Sequence, residues 1–273
     1  MTTPSPDQVP ENWSAIASAY EQSFESLSSQ FAAHALELLR LTRGDRVIDV
    51  GAGTGAFSLL AVRAGASVVA TDFAPGMVAR IRERIAERRL SNITAEVMHG
   101  ESLDVSDQSF DASASVFGLT YFTDIAQGMA ELRRVLRPGG RTAIVCWSDP
   151  AKLEILTGVM RAITTVVPEF EPPAPRSVWA RLAGAPALRD HMQLAGFHRV
   201  EITVSTRTLR VESPDTFWSN FTKSVPHLAY VFKQLGPERT ATVGREFIAT
   251  LQANTSDGIA AIRVDACIGI GYV

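Results

Sequence analysis

The chain is poor in cysteine. Its 273 residues include two, Cys146 and Cys267, far apart in apolar, strand-like runs. That excludes a disulfide framework and reads as two buried, reduced thiols. Neither stands at metal-ligand spacing from a histidine or from the other cysteine, so no metal is expected. Charge of one sign is also scarce. A net charge of −3 gives no reason to expect a polyanion as partner, so a nucleic-acid partner is not expected. No apolar run is long enough to span a bilayer, which argues against a membrane partner. The start, Met1-Thr-Thr-Pro-Ser-Pro-Asp-Gln, lacks the basic residues and apolar stretch of a secretory signal. A cytoplasmic location is the expectation. What the chain does have, 46% hydrophobic and 20% charged residues, is the ordinary balance of one large domain or of one domain with a cap.

The pattern along the chain is helical first. Ile16, Tyr20, Phe24 and Leu27, then Phe31, Ala35, Leu38 and Leu39, recur at three- and four-residue steps, giving two helices before the first strand. Strands and helices then alternate. Strands are expected at Val47–Val50, Ser67–Thr71, Ile93–Met98, Ala112–Phe117 and Thr142–Trp147. Helices are expected at Ala56–Ala64, Pro75–Arg89 and Asp124–Leu136, the last ended by Pro138-Gly139-Gly140. Alternation at these lengths argues for a doubly wound, mostly parallel α/β sheet. The second half is less regular. Pro168, Pro172, Pro173 and Pro175 mark a loop inside an insertion at about residues 150–185. A helix over Leu188–Ala195 and a strand over Phe197–Val204 follow. Ser213-Pro214-Asp215 then opens a helical region that runs to about Gln252, before a terminal strand at Ile262–Ile270. The expected division is residues 1–45 as helices covering a site and 46–150 as a ligand-binding core. Residues 151–273 supply the rest of the sheet, with helical cap insertions near 150–185 and 207–260.

The densest information lies in Arg46-Val-Ile-Asp-Val-Gly-Ala-Gly-Thr-Gly-Ala-Phe57, an apolar strand, a glycine turn and a helix start. Gly51, Gly53 and Gly55 let the backbone turn sharply and bring bare N–H groups to a ligand. Gly51 to Ala56 satisfies the loose dinucleotide fingerprint, and Asp72 lies 21 residues after Gly51, at the spacing of a ribose-binding acid. A dinucleotide and S-adenosylmethionine both carry a ribose, so both fit. Asp49 discriminates between them. A carboxylate under the turn repels a pyrophosphate, whereas the ammonium and sulfonium of S-adenosylmethionine favour an anion there.

On these residues the chain resembles the class I S-adenosylmethionine-dependent methyltransferases, and most closely the small-molecule branch that includes the ubiquinone/menaquinone C-methyltransferases. Val47-Ile-Asp-Val-Gly-Ala-Gly-Thr-Gly55 is similar to the first motif of that family, and Thr71-Asp72-Phe-Ala-Pro-Gly-Met77 to the second-strand motif. Glu101-Ser-Leu-Asp-Val-Ser-Asp-Gln-Ser-Phe-Asp111 is similar to the approach to the fourth strand. Leu132-Arg-Arg-Val-Leu-Arg-Pro-Gly-Gly-Arg141 is similar to the turn into the fifth. The resemblance covers roughly residues 13–147. It implies a seven-stranded sheet with an antiparallel last strand, S-adenosyl-L-methionine as cofactor and a small-molecule methyl acceptor. It further implies that Gly51, Ala52 and Gly53 line the methionine portion and ribose, with Asp49 nearby, and that Asp72 accepts from the ribose hydroxyls. Phe73 and Met77 would pack on adenine, and Gly100, Glu101 and Ser102 would edge it. Val116 and Phe117 would flank the amino-acid portion, and Tyr20 would close over the cofactor.

One position departs from the pattern. His99 stands where the family usually has an acid for the adenine amino group; its ring can accept through one nitrogen, or Glu101 can take the contact. Methyl transfer from a sulfonium needs alignment more than acid–base groups. The candidates for a general base are therefore few, His227 in the cap and His99. The Arg80–Arg89 run alternates in sign around Ile81 and Ile85 and reads as a solvated helix face. Trp179, Phe217, Trp218 and Phe221 read as cap packing. The fourth strand ends Ser115-Val-Phe-Gly118, without the Asn/Asp-Pro-Pro-aromatic signature used for planar amino groups. That argues against methylation of a nucleic-acid base or of glutamine. Two other readings are a nicotinamide-dependent oxidoreductase and a non-catalytic module that binds S-adenosylmethionine.

Overall fold

The structure, a computed structural model, describes residues 5–149, 151, 153–170, 180–253, 255–256 and 259–273. Pro172, Pro173, Pro175 and Trp179 lie outside the described residues. Two helices come first, Pro10–Ser23 (α1) and Glu25–Leu39 (α2). The alternating part then runs Arg46–Val50 (β1), Ala56–Arg63 (α3), Ser67–Asp72 (β2), Pro75–Glu87 (α4), Ile93–Val97 (β3), Phe110–Val116 (β4), Ile125–Arg134 (α5) and Leu136–Trp147 (β5). The second half holds Glu154–Val166 (α6), Ala185–Leu194 (α7), His198–Val211 (β6), Pro214–Phe221 (α8), Pro226–Ala253 (α9), the two-residue Thr255–Ser256 (β7) and Ile259–Tyr272 (β8).

The strands form one sheet in the order β3-β2-β1-β4-β5-β8-β6, with β7 paired to β8. The first five strands are mutually parallel, and β8 is antiparallel to both neighbours. The doubly wound sheet with a reversed last strand is thus present. Side chains alternate between faces, as the two-residue period of a strand requires. Val47, Val68, Ala70, Ala112, Ala114 and Val145 enter one apolar core together with residues of α2, α3 and α4. Ile48, Val50, Ile144 and Cys146 enter the other core, with α5 and α7. Burial on both faces is why these strands read as continuous apolar runs.

The order of strands reverses between β2-β1 and β4, so the carboxyl ends of β1 and β4 open a crevice at the switch point. Asp49 and the glycine turn stand at the end of β1, Asp72 at the end of β2, and Val116 and Phe117 at the end of β4.

Several expected boundaries shift, and β6 runs on to Val211, past the expected end at Val204. The helix over 124–136 ends at Arg134, and Pro138-Gly139-Gly140 lies inside β5, where the pairing with β4 slips register between Phe110 and Ala112. In the insertion, Glu154–Val166 is a helix. Val159, Ala162 and Ile163 are its buried side chains, and it packs on α9 and β8. The prolines that follow drew attention to a loop, while apolar residues at 155, 156, 159, 160 and 163 already carried the helical period. Farther on, the Ser213 hydroxyl accepts from the Thr216 N–H, the capping that Ser213-Pro214-Asp215 implied. Within α9, Gly236 leaves the helical conformation just before Pro237, so two helical pieces meet at a kink.

Candidate active site

A cleft lies over the carboxyl ends of β1, β2 and β4. The glycine turn makes its floor. Gly51 sits at φ +70°, and a Cβ there would stand 2.9 Å from Cα of Gly118, so only glycine fits. Gly53 is at φ +57°, and its open side faces the Tyr20 ring, 3.6 Å from where a Cβ would be. The Ala52 N–H is tied to Thr71 O at 2.9 Å, which locks the turn to the end of β2.

Asp72 is buried, and both of its carboxyl oxygens meet backbone N–H groups. Oδ2 accepts from Gly53 and Oδ1 from Ala74, each at 2.9 Å. The carboxyl therefore orients the turn and opens the loop before α4, as an Asx turn does, while lining the cleft. Burial pushes its pKa up to about 6 against those hydrogen bonds. Asp49 lies under the turn and is 1% exposed. Its Oδ2 accepts from Ser58 Oγ at 2.6 Å, and its Oδ1 is buried without a hydrogen-bond partner. Burial, with Asp72 nearby, raises its pKa to about 7 despite the Ser58 bond. An orphaned buried carboxyl oxygen is costly, and a cation in the adjoining space would satisfy it. That space is a small recess off the cleft, bordered by Asp49, Ala52, Thr54 and Ser28.

Of the other expected residues, Tyr20, Phe73, Met77, His99, Gly100, Glu101, Val116 and Phe117 line the cleft. Phe117 takes a left-handed conformation, φ +63°, at the end of β4 and stacks on Trp147 with ring centroids 4.0 Å apart. Non-glycine residues held this way cluster at ligand sites. His99 sits at the Phe73 end, its ring edge-on to Phe73, and its Nδ1 accepts from the Glu101 N–H at 3.4 Å. Glu101 Oε1 accepts from the Thr123 N–H at 2.8 Å, which ties the cleft's far wall together. Ser102 and His227 are not among the lining residues. The backbone N–H of His227 donates to Asp7 Oδ1 at 2.9 Å.

Sequence reasoning missed the residues that complete the enclosure. Gln8, Trp13, Phe24, Tyr121, Phe122, Thr123 and Val225 also line it. Trp13 meets Tyr20 and Tyr121 edge-on, at 6.1 and 5.0 Å between centroids. Burial pushes the Tyr20 hydroxyl up to about 12, so it stays protonated. Several contacts fasten the N-terminal helices over the site. Ser14 Oγ accepts from the Gly76 N–H at 3.0 Å, and Arg80 Nε donates to Glu21 at 2.6 Å. The reading of residues 80–89 as a solvated face needs correcting, because Arg84 is 7% exposed and pairs with Glu25 at 2.7 Å. Its partner is 59 positions away in the chain, and no local pattern marks such a pair. No lysine or arginine lines the cleft, and no cluster of metal-ligating side chains occurs, among the described residues. Nor is any helix among them long and apolar enough to cross a membrane.

Residues 47–140, the segment that carries the glycine turn and Asp72, match the family described as "Methyltransferase domain". By this match the segment is similar to known methyltransferase domains. A demethylmenaquinone methyltransferase of Tropheryma whipplei is 36% identical to the chain over 149 residues, covering 53% of this chain and 61% of that protein. The chain thus spans about three-fifths of that relative's length. Among solved structures, a putative methyltransferase of Bacillus halodurans aligns with a TM-score of 0.59 at 17% identity, over 88% of this chain and 97% of its own. The [4+2]-cyclase SpnF aligns with a TM-score of 0.60 at 18% identity, over 100% and 97%. These likenesses support the methyltransferase-type sheet. The cyclase also means that the fold of a methyltransferase domain does not by itself dictate the reaction.

Proposed function

We propose that the cleft binds S-adenosyl-L-methionine and that the chain passes its methyl group to an uncharged, largely apolar small molecule by in-line displacement. The observation that carries this is the pair of buried carboxyl groups on either side of the glycine turn, one with an unpartnered oxygen. A cationic ligand satisfies Asp49, and a ribose satisfies the remaining acceptor capacity of Asp72. A pyrophosphate would sit between two acids with no lysine or arginine among the described residues lining the cleft to offset it. That weighs against the nicotinamide reading.

The donor would supply an already activated methyl group, and the protein's residues do the rest. Asp72 and the Gly53 N–H set the ribose end. Asp49 and the recess by Ala52 hold the amino-acid end. Phe73, Met77 and the Gly100–Glu101 turn beyond β3 enclose the base. Trp13, Phe24, Tyr121 and Val225 surround the acceptor and keep water out, which lets alignment account for most of the acceleration. The absence of lysine and arginine from the lining, among the described residues, disfavours carboxylate- or phosphate-bearing acceptors.

Calorimetry with S-adenosylhomocysteine and with NAD tests the ligand. Binding of the first alone is expected; binding of NAD alone rejects the proposal. Turnover on a panel of uncharged aromatic and anionic acceptors tests the reaction. Tight S-adenosylhomocysteine binding with no methyl transfer to any acceptor would favour a non-catalytic binding module.

A further inference from the structure

Arg84 is a buried charge that the site as described does not use. It lies on α4, 7% exposed and outside the cleft lining. Its Nη1 donates to the Thr54 carbonyl and to Glu25 Oε2, each at 2.7 Å. The Thr54 hydroxyl donates to the same Glu25 oxygen. Its Nε is buried with no hydrogen-bond partner, and Glu21 Oε1 stands 3.7 Å away. A buried ion cluster with an unsatisfied donor is a poor source of stability, because desolvation offsets the attraction.

Its position suggests another role. Thr54 stands between Gly53 and Gly55, both left-handed, in a stretch with little stiffness of its own. On the sheet side the turn is anchored by Ala52 to Thr71 and by Gly53 to Asp72. On the helix side Thr54 is the anchor, and its partners are Arg84 and Glu25. Glu25 opens α2, and Glu21 lies in α1 next to Tyr20, whose ring covers Gly53. One guanidinium therefore sets both the floor and the cover of the recess beneath them.

From this we infer that Arg84 is a positioning residue. It holds the Thr54 peptide and, through the two glutamates, the Tyr20-bearing helices at a fixed separation across the ligand. Its loss lowers cofactor affinity and leaves turnover at saturation nearly intact. The inference rests on the proposed use of the cleft, and its test separates the two. R84M/E25Q removes both charges together, so that this pair leaves no lone ion buried. S-adenosylhomocysteine should bind it about 10- to 100-fold more weakly, the scale of a small displacement at a preorganised site. KM for S-adenosylmethionine should rise in step, with kcat within about threefold of wild type. R84K, which keeps the charge but loses the fork, should recover part of the affinity. In the ligand-free protein, amide exchange at Gly53 and Gly55 should quicken by about tenfold or more while Ile48 and Val50 stay protected.

A folded R84M/E25Q with wild-type affinity and unchanged glycine exchange overturns the inference. So does a fall in kcat at constant KM. If that variant does not fold, R84K and T54V decide by the same readouts, and wild-type behaviour in both rejects the role. If the wild-type protein fails to bind S-adenosylhomocysteine, the cofactor reading falls, and glycine exchange still decides for Arg84.

Discussion

The two halves of this chain are built by different rules. In residues 46–147 the strands β1, β2 and β4 are each followed by a turn and a helix, and the residues proposed to hold the ligand stand at or just beyond strand ends. Among the described residues of 154–253, the helices α6 to α9 and the strand β6 gain their order by packing on one another and on β8. Trp218 packs on Phe232 and Phe247, with centroids 5.1 and 5.5 Å apart, and α6 packs on α9. The first half spends its specificity on backbone geometry and buried carboxyls. The second half spends it on apolar packing, which tolerates exchange of residues if volume is kept. Substitutions at the glycine turn and the strand-end carboxyls of the first half should therefore change ligand affinity, and those in the second, apart from the cleft-lining Val225, should change stability.

Gly51→Val should break the comparison's first term most severely. It puts a side chain at a left-handed position against Gly118, and a loss of about 100-fold or more in S-adenosylhomocysteine affinity is expected by calorimetry. D72N should cost about 10- to 100-fold, the worth of charge-assisted hydrogen bonds, by the same measurement.

For D49N the effect is about tenfold near neutral pH, and its pH dependence is the sharper signature. Asp49 has a pKa of about 7 and Asp72 of about 6. A cationic ligand selects the ionised carboxyls, so affinity should climb from pH 5 to 8, and D49N should flatten the part near 7. Stability without ligand has the opposite sign. These groups, with Asp7 at about 6, hold protons in the folded state that the unfolded chain has released. Their contribution is complete below the unfolded value of 3.8 and is lost as pH rises through 6 to 7. Melting temperature against pH checks this, and an Asp7→Asn variant should lose part of the slope.

The smallest effect on the site is expected from W218A. It should lower stability by about 3–5 kcal/mol, read by denaturant unfolding. Affinity for S-adenosylhomocysteine should change by no more than about twofold, because Trp218 does not line the cleft. A large loss of affinity in W218A would erase the distinction between the halves.

The site was readable to the extent that it is local. Gly51, Gly53 and Asp72 could be placed because the turn's conformation and the strand-end position follow from the residues themselves. Asp49 stood out as an acid in an apolar run. Its partner Ser58, nine positions on in α3, gave no signal, since a helical serine has many uses. Trp13, Tyr121 and Val225 reach the cleft from three separate stretches of chain. Their shared wall exists only once α1 lies over the sheet. The helix α6 was legible by period and was obscured by the prolines beyond it. His227, singled out for its place in the cap, belongs to a helix start whose backbone, by its N–H, holds Asp7.

The sequence alone determined the alternation of elements, the glycine turn and the acid at the end of β2, because these depend on φ, on side-chain period and on contacts within a few residues. Only the tertiary structure decided that one oxygen of Asp49 is left unpaired, that Arg84 is buried against Glu25, and which aromatic rings enclose the cleft. Burial and pairing between residues tens of positions apart are properties of the packed chain, and desolvation, which makes those charges matter, does not exist until it is packed.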